Sequence, residues 1–421
     1  MGNKLRYALA VITVLTVLGV YAYYARWPSD SSPEVESEEG VFRIGVMSSK
    51  RETDEMWRFL AEMALAEINA YCNESGIDRR FEFVYSCADG QAQKAIDLTK
   101  EYHEDGVDLV LGYGWSSFIC SGARNYADEN GMVLLSPSST SPHFELVDNV
   151  FRLCPHDGYQ QNVITRAILS LEKTDIVVLM RSDAWARYIF EGFKPHYEQE
   201  GGRIHAAVEY LGERNGVDYT EHLERAAFAL SQIMEVNGSG SAAVLLLGFE
   251  EAGDLLVQAD EIAPLTDVIW FGTDATAKSN YVTSNGTVAS KVVLISPYVD
   301  VSETEIYARV NEAWQAAFHE PLGFYDANIY DGCWVLALSA LEVDSDNGTL
   351  VREVIHDVAC NYTGASGPCL LDEYGDRTAV DCALWGYFDV DGSCECLRCG
   401  IYRSEADAVE WVTTLVALGG G

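Results

Sequence analysis

Hydroxyl-bearing side chains cluster in two short segments of the chain, GYGWSS (residues 112–117) and SPSSTSP (residues 136–142). Serine and threonine hydroxyls, together with nearby backbone N–H groups, can hold a carboxylate. Each segment also has an ordinary structural explanation, the first as a helix cap and the second as a turn. The residue types therefore permit an anion site without requiring one. The candidate residues are Ser116, Ser117, Ser138, Ser139 and Thr140.

Acidic and aromatic side chains could complete a site for a zwitterion. Asp157 lies at the start of a predicted helix and Tyr159 follows it, while Asp274 comes directly after an apolar segment. Trp185 occupies a comparable loop. Each charge-assisted hydrogen bond contributes roughly 1.5 to 3 kcal/mol. A few of them, with burial of an apolar side chain, would reach the ~8 kcal/mol of micromolar binding.

No catalytic or cofactor motif accompanies these residues. The chain lacks G-x-S-x-G, H-E-x-x-H and a Walker loop. GYGWSS is similar to a dinucleotide loop, but it follows the third predicted strand instead of the first. The cysteines of the CECLRC segment (residues 394–399) could bind zinc, although disulfide pairing is favoured. We therefore expect binding without a catalytic residue, cofactor or metal. An exported hydrolase and a surface interaction protein without a small ligand are the alternatives.

Strand-like and helix-like segments alternate from Val41 onward, in two successive cycles. The strands are short, continuous apolar runs, which are typical of parallel sheets covered by helices on both faces. We therefore predict an α/β fold with two doubly wound, Rossmann-like lobes. Ligands bind beyond the carboxyl ends of such strands. The candidate residues all follow predicted strands or begin the next helix, so they should lie at that edge.

The N-terminus predicts an extracytoplasmic location. Lys4 and Arg6 precede an uncharged run that would extend roughly 27 Å as a helix, at about 1.5 Å per residue. We expect residues 1–26 to be a signal anchor, with a cleaved signal peptide as the alternative, and residues 27–40 to be an acidic Ser/Pro-rich stalk. In the first case the protein is anchored to the membrane, and in the second it is secreted.

Other global features agree with that location. The sequence has 11 cysteines, which suggest disulfides in an oxidising compartment; Cys87 with Cys120, and Cys369 with Cys382, are plausible bridges. Glycosylation sequons begin at Asn73, Asn237, Asn285, Asn347 and Asn361. The net charge of −37 argues against nucleic acid and anionic membrane surfaces as partners, because both would be repelled.

Three motifs in order carry a family resemblance. The glycine–serine loop is followed by LSPSSTSP, which matches ISP-x-x-T-x-P apart from its leucine, and then by FRLCPHD, which matches FR-x-x-x-x-D. This region resembles type I periplasmic binding proteins, specifically the leucine/isoleucine/valine-binding group of ABC transporters, which is related to receptor ligand-binding ectodomains. The resemblance extends from Val41 to about Tyr402.

The resemblance implies two lobes joined by three crossings. Lobe 1 would comprise residues 41–157 and 298–382, and lobe 2 residues 158–297 and 383–421. It further implies a carboxylate contact at Ser116 with help from Ser138 and Thr140, an ammonium contact at Asp157, aromatic walls at Trp185 and Phe249, and a second acid at Asp274. The first loop, SSKRETDEM, departs from the family by being charged.

The implied function is extracytoplasmic solute binding. Such a protein closes two lobes on a small ligand, here an amino acid with a branched-chain or other apolar side chain, and delivers it to an ABC transporter permease. An amide or urea-type ligand is an alternative. A ligand-sensing receptor ectodomain is another, but sensors of this fold normally continue into a membrane helix, whereas this sequence ends at VALGGG.

Overall fold

The computed structural model describes residues 40–141, 146–213, 216–284, 286–301, 304–378 and 381–412. The predicted anchor, and the predicted stalk apart from Gly40, lie outside these residues. None of the helices in the described ranges is both long and apolar enough to cross a membrane.

The chain forms two compact units. Unit 1 holds the described residues of 1–139, 143–154 and 301–377, and unit 2 those of 140–142, 155–300 and 378–421. These boundaries differ by a few residues from the predicted lobes. Asp157, which was expected in lobe 1, belongs to unit 2, and so does Thr140. Thr140 and Asp157 are hydrogen-bonded to each other, because the Asp157 N–H donates to the Thr140 carbonyl at 2.8 Å.

Unit 1 contains a five-stranded, fully parallel sheet with strand order β2-β1-β3-β4-β5. The strands are β1 (Val41–Ser48), β2 (Arg80–Cys87), β3 (Leu109–Leu111), β4 (Val133–Ser136) and β5 (Val150–Arg152). The helices of its first part are α1 (Arg51–Ser75), α2 (Ala92–Glu104), α3 (Ser116–Phe118), a π-helical turn (Ile119–Ala123) and α4 (Arg124–Asn130).

The returning segment of unit 1 adds four helices and a small hairpin. They are α12 (Glu305–Phe318), α13 (Phe324–Glu342), α14 (Gly348–Arg352), α15 (Ile355–Cys360), β11 (Thr363–Gly364) and β12 (Gly367–Pro368). α1 shows how the sequence positions such an element. It buries residues three or four apart, including Trp57, Leu60, Ala64 and Ile68, and it ends at Gly76, whose φ of 68° suits glycine.

Unit 2 contains an eight-stranded mixed sheet with order β15-β14-β13-β10-β9-β8-β6-β7. Strands β6 to β10 are parallel, and β13 to β15 extend the sheet with antiparallel pairing. The strands are β6 (Asp175–Arg181), β7 (Arg203–Tyr210), β8 (Ala242–Leu247), β9 (Ile269–Phe271), β10 (Ile295–Tyr298), β13 (Cys382–Val390), β14 (Ser393–Arg403) and β15 (Ala408–Trp411).

The helices of unit 2 cover its parallel strands. They are α5 (Asp157–Ser170), α6 (Ala184–Gln199), α7 (Thr220–Asn237), a short 3₁₀ turn (Ser239–Ser241), α8 (Ala252–Ala259), α9 (Ala263–Thr266), α10 (Asn280–Thr283) and α11 (Gly286–Lys291). Strands β13 and β14 form a hairpin in the C-terminal part of the chain. Its turn residues Asp391 and Gly392 have positive φ values of 53° and 85°, as a tight Asp-Gly turn requires.

Each unit is packed on both faces of its sheet. In unit 1, Ile44 and Leu135 face one apolar cluster while Val110 and Leu134 face another. In unit 2, Val244 and Leu246 face one cluster while Leu245 faces the second. The predicted α/β fold is therefore confirmed, with a parallel sheet in unit 1 and a parallel core extended by three antiparallel strands in unit 2. In both units the carboxyl ends of the parallel strands lead into loops that carry candidate residues.

Candidate functional site

The serine loop of unit 1, defined here as residues 136–139, lies against the glycine loop, residues 112–115. The two loops follow β4 and β3, which pair in parallel with Leu111 opposite Leu135. Ser136 Oγ donates to the Tyr113 carbonyl at 3.0 Å, and Ser138 Oγ donates to the Gly114 carbonyl at 3.0 Å. The segment is thus a shaped loop and not a flexible linker.

The hydroxyls of the serine loop point inward. Ser139 is fully buried and its hydroxyl also donates to the Tyr113 carbonyl. Ser136 Oγ accepts from the backbone N–H of Ser139 at 2.9 Å and, more weakly, from that of Ser138 at 3.4 Å. We expected Ser138 to donate its hydroxyl proton to a ligand, but that proton is directed at Gly114. Ser138 can therefore offer a ligand mainly lone pairs.

Ser116 and Ser117 begin a helix but do not cap it. The N-cap is Trp115, and no side-chain cap hydrogen bond is formed there, so the interpretation of these two serines as a helix cap is wrong. Ser116 is half-buried and Ser117 is exposed. The reason is the bend of the glycine loop, which brings Trp115 to the cap position and lets its ring pack against Phe118 at a centroid distance of 5.5 Å.

Asp157 and Asp274 of unit 2 are linked through Gln160. Asp157 is 3 % exposed, and Gln160 Nε2 donates to its Oδ1 at 2.8 Å. Gln160 Oε1 accepts from the Asp274 backbone N–H at 3.3 Å. The N-cap of α5 is His156, whose Nδ1 accepts from Gly158 N at 3.1 Å, so Asp157 is not needed as a cap. The predicted acids therefore lie at one edge of the unit 2 sheet.

Gln160 was not singled out from the sequence. It lies three residues after Asp157 on the same helix, a spacing at which side chains on one face meet. That spacing is a usable signal once Asp157 is a candidate, but the contact with Asp274 depends on a segment 114 residues away. Local reasoning could not have supplied it.

Trp185 and Phe249 form an aromatic pair. Their ring centroids are 4.1 Å apart with an interplanar angle of 32°. The guanidinium of Arg181, which sequence reasoning also missed, lies over the Phe249 ring at 4.2 Å. Arg181 pairs with Asp183 and with the buried Glu251, so two carboxylates face its single positive charge. The pair offers a largely apolar surface at the carboxyl ends of β6 and β8.

Tyr159 and Thr140 have different surroundings. The ring of Tyr159 is partly buried against the apolar core of unit 2 and packs edge-on against Tyr402 at a centroid distance of 5.9 Å. Burial raises the pKa of its hydroxyl. The Tyr159 ring therefore contributes to packing in unit 2, and its contact with a ligand stays a prediction. Thr140 is half-buried, and its carbonyl is occupied by the Asp157 N–H.

The cysteines do not support the predicted bridges. Cys369 and Cys382 are both free, since each is buried in the apolar core of its own unit. Cys87 is also free, and the side chain of its expected partner Cys120 lies outside the described part of the structure. Cys394, Cys396 and Cys399 are free on β14. Among the described residues, no group of acids, histidines and cysteines could hold a metal ion.

Comparisons with known proteins agree with this fold. A model of the family described as "Receptor family ligand binding region" matches residues 61–389. An uncharacterized protein of Methanocaldococcus jannaschii is 24% identical over 407 residues, which cover 89% of this chain and 93% of the relative. The Leu/Ile/Val-binding protein homolog 3 of Brucella melitensis is 20% identical over 326 residues, covering 75% of this chain and 83% of the relative.

A solved structure has a similar fold. The ABC transporter substrate-binding protein of Desulfitobacterium hafniense, in complex with Leu, is similar to this chain with a TM-score of 0.66. The two are 20% identical, and the match covers 85% of this chain and 100% of that chain.

Proposed function

Because the chain belongs to the receptor-type ligand-binding-region family, we propose that it is a solute-binding protein that captures an amino acid with an apolar side chain and delivers it to an ABC importer. Binding requires neither a cofactor nor a chemical step. The named ligands of the Brucella relative and the Desulfitobacterium structure are branched-chain amino acids, which supports this ligand class.

The observation that carries the proposal is the buried carboxylate of Asp157. This carboxylate is only 3 % exposed, and an electrostatic interaction with an ammonium is stronger in such a buried environment than in water. Gln160 supplies one hydrogen bond. A ligand ammonium would add a charge-assisted bond, which is shorter and roughly twice as strong as a neutral one. Asp274, held to Gln160 through its backbone, would add a second negative charge nearby.

The remaining contacts follow from the chemistry of the other candidate residues. We assign the ligand carboxylate to Ser116 and Ser117 of unit 1. The hydroxyl groups of the serine loop already donate to carbonyls of the glycine loop. We assign the apolar side chain to the paired rings of Trp185 and Phe249. Thr140 contributes through its hydroxyl, since its carbonyl is occupied.

The cellular setting is part of the proposal. A solute-binding protein for an importer works outside the cytoplasm, and the apolar N-terminal run preceded by Lys4 and Arg6 would anchor it to the membrane. The net charge of −37 fits a soluble, strongly solvated body. The transporter permease is then the protein partner.

Replacement of Asp157 tests the proposal. We expect Asp157→Ala to fold and to bind leucine roughly 10- to 100-fold more weakly, because one charge-assisted hydrogen bond is lost. Calorimetry against leucine, isoleucine, valine and phenylalanine measures the effect. Benzoate, which has a carboxylate but no ammonium, should bind no more weakly to the variant than to the wild type.

Asp175→Ala is the matched control. Asp175 is a buried acid at the amino end of β6, on the opposite edge of the same sheet. Its replacement should lower stability and leave the leucine affinity unchanged. Wild-type leucine affinity in Asp157→Ala would refute the role of Asp157, and a wild-type protein that binds none of the amino acids would refute the proposed ligand class.

A further inference from the structure

Tyr113, in the middle of the glycine loop, has an unusual backbone conformation. Its φ is 60°, in the left-handed region that bulky residues rarely adopt. Its side chain is fully buried, and its hydroxyl shares a hydrogen bond with Thr99 Oγ1 at 2.7 Å. Such a bend costs free energy and persists only where the surroundings hold it in place. The residue lies three positions before Ser116.

Two serine hydroxyls hold this bend. Ser136 Oγ and Ser139 Oγ both donate to the Tyr113 carbonyl, which satisfies both of its lone-pair directions. Ser138 Oγ donates to the next carbonyl, that of Gly114. Ser136 and Ser139 are fully buried, so neither is available to a ligand.

The serine loop is itself held by residues distant in sequence. Arg152 Nη1 donates to the Ser139 carbonyl at 3.1 Å, and Asn328 Nδ2 donates to the Pro137 carbonyl at 2.9 Å. Arg152 is fully buried and forms an ion pair with the equally buried Asp376. The loop is therefore fixed from the interior of unit 1.

We propose that Ser136 and Ser139 are positioning residues: their hydroxyls clamp the left-handed bend at Tyr113 and thereby place Ser116 and Ser117 for the ligand carboxylate. The serines act through the glycine loop and do not touch the ligand. This inference rests on the proposed function for its consequence in binding, whereas the clamp itself depends only on unit 1.

The double variant Ser136→Ala/Ser139→Ala tests the clamp without any ligand. Amide hydrogen exchange of peptides that span residues 112–118 should become several-fold faster, because the Tyr113 carbonyl loses both donors. Ser139→Ala alone keeps the Ser136 donor, so it should show a smaller increase and provides a milder variant if the double variant is unstable. Leucine affinity of the double variant should fall about tenfold or more, as expected for a mispositioned hydrogen-bonding group.

Ser339→Ala is the control for general loss of stability. Ser339 is fully buried in α13, and its hydroxyl donates to the Val335 carbonyl within that helix at 2.7 Å. The control should not alter exchange at residues 112–118 or leucine affinity. Exchange in the double variant that is no faster than in the control would overturn the clamp.

The two proposals can fail separately. Faster exchange at residues 112–118 together with wild-type leucine affinity would overturn the positioning role while leaving the bend explained. A wild-type protein that binds no amino acid would count against the proposed function, and the exchange measurement would still decide whether the serines hold the bend.

Discussion

At the scale of single residues, Asp148 illustrates what burial does to a carboxyl group. Its side chain is 6% exposed, and its Oδ1 accepts from the Val150 N–H at 2.8 Å. Its Oδ2 lies 3.9 Å from Arg124 Nε, which is too far for a hydrogen bond. Burial raises the pKa of Asp148 to about 6, and the nearby Asp128 adds to the increase. The folded protein therefore holds this proton more tightly than the unfolded chain.

Asp148 should make stability depend on pH. Its favourable contribution is complete below the unfolded pKa near 4 and is lost as pH rises through about 6, which amounts to at most about 3 kcal/mol. Asp148→Asn keeps the oxygen that accepts from Val150 and cannot ionise. We expect the variant to gain stability relative to the wild type between pH 4.5 and 7, measured by urea unfolding. A difference that does not change with pH would contradict this account.

At the scale of secondary-structure elements, a buried ion pair ties β5 to the returning segment of unit 1. Arg152 ends β5, its backbone N–H donates to the Gly375 carbonyl at 2.9 Å, and its side chain pairs with Asp376. The neighbouring Arg377 donates to the Leu153 carbonyl at 3.1 Å and to Asn328 Oδ1 at 3.0 Å. These contacts join β5, α13 and residues 375–377, and they support the serine loop.

Breaking the Arg152–Asp376 ion pair should lower the stability of the folded protein. Arg152→Met leaves Asp376 buried without its partner, so we expect a loss of about 3 to 5 kcal/mol in the free energy of unfolding. The double variant Arg152→Met/Asp376→Leu removes both charges and should recover much of that loss. Denaturant unfolding of both variants measures the difference. Equal destabilisation in the single and double variants would show that the charge pairing is not the cause.

At the scale of the whole molecule, the main electrostatic feature is a large excess of acidic residues. The chain has 65 acidic and 28 basic residues, which give the net charge of −37. Some acids are paired, as Asp89 is with Arg51 and Lys94, but most cannot be. Mutual repulsion among like charges destabilises a compact state, and salt screens it, since the Debye length falls from about 10 Å at 0.1 M to about 3 Å at 1 M.

Thermal stability should therefore increase with salt. We expect the melting temperature to rise by several degrees between 0.05 and 1 M sodium chloride, because salt screens the repulsion. Each kcal/mol gained corresponds to roughly 2 to 4 °C for a domain of about 150 to 250 residues. Differential scanning calorimetry on the purified protein measures the shift. A melting temperature that falls with salt would mean that ion pairs such as Arg51–Asp89 outweigh the general repulsion.

The sequence by itself determined the fold class and the loops that matter, because hydrophobic periodicity is local and strands of a parallel sheet end at one edge. SPSSTSP was placed at that edge by the alternation of strands and helices alone. Asp274, Trp185 and Phe249 were placed at the corresponding edge of the second unit in the same way, whereas Asp157 was expected in lobe 1 and belongs to unit 2.

Only the tertiary structure decided what those residues do. Ser136 and Ser139 donate inward because Tyr113 presents its carbonyl there. The loop is held by Arg152, whose ion-pair partner Asp376 lies 224 residues further along the chain. Gln160 becomes a partner of Asp274 across 114 residues, and Cys369 and Cys382 remain thiols because each is buried in its own core. Hydrogen-bond direction and cysteine pairing depend on contacts between distant segments, and no local pattern in the sequence records them.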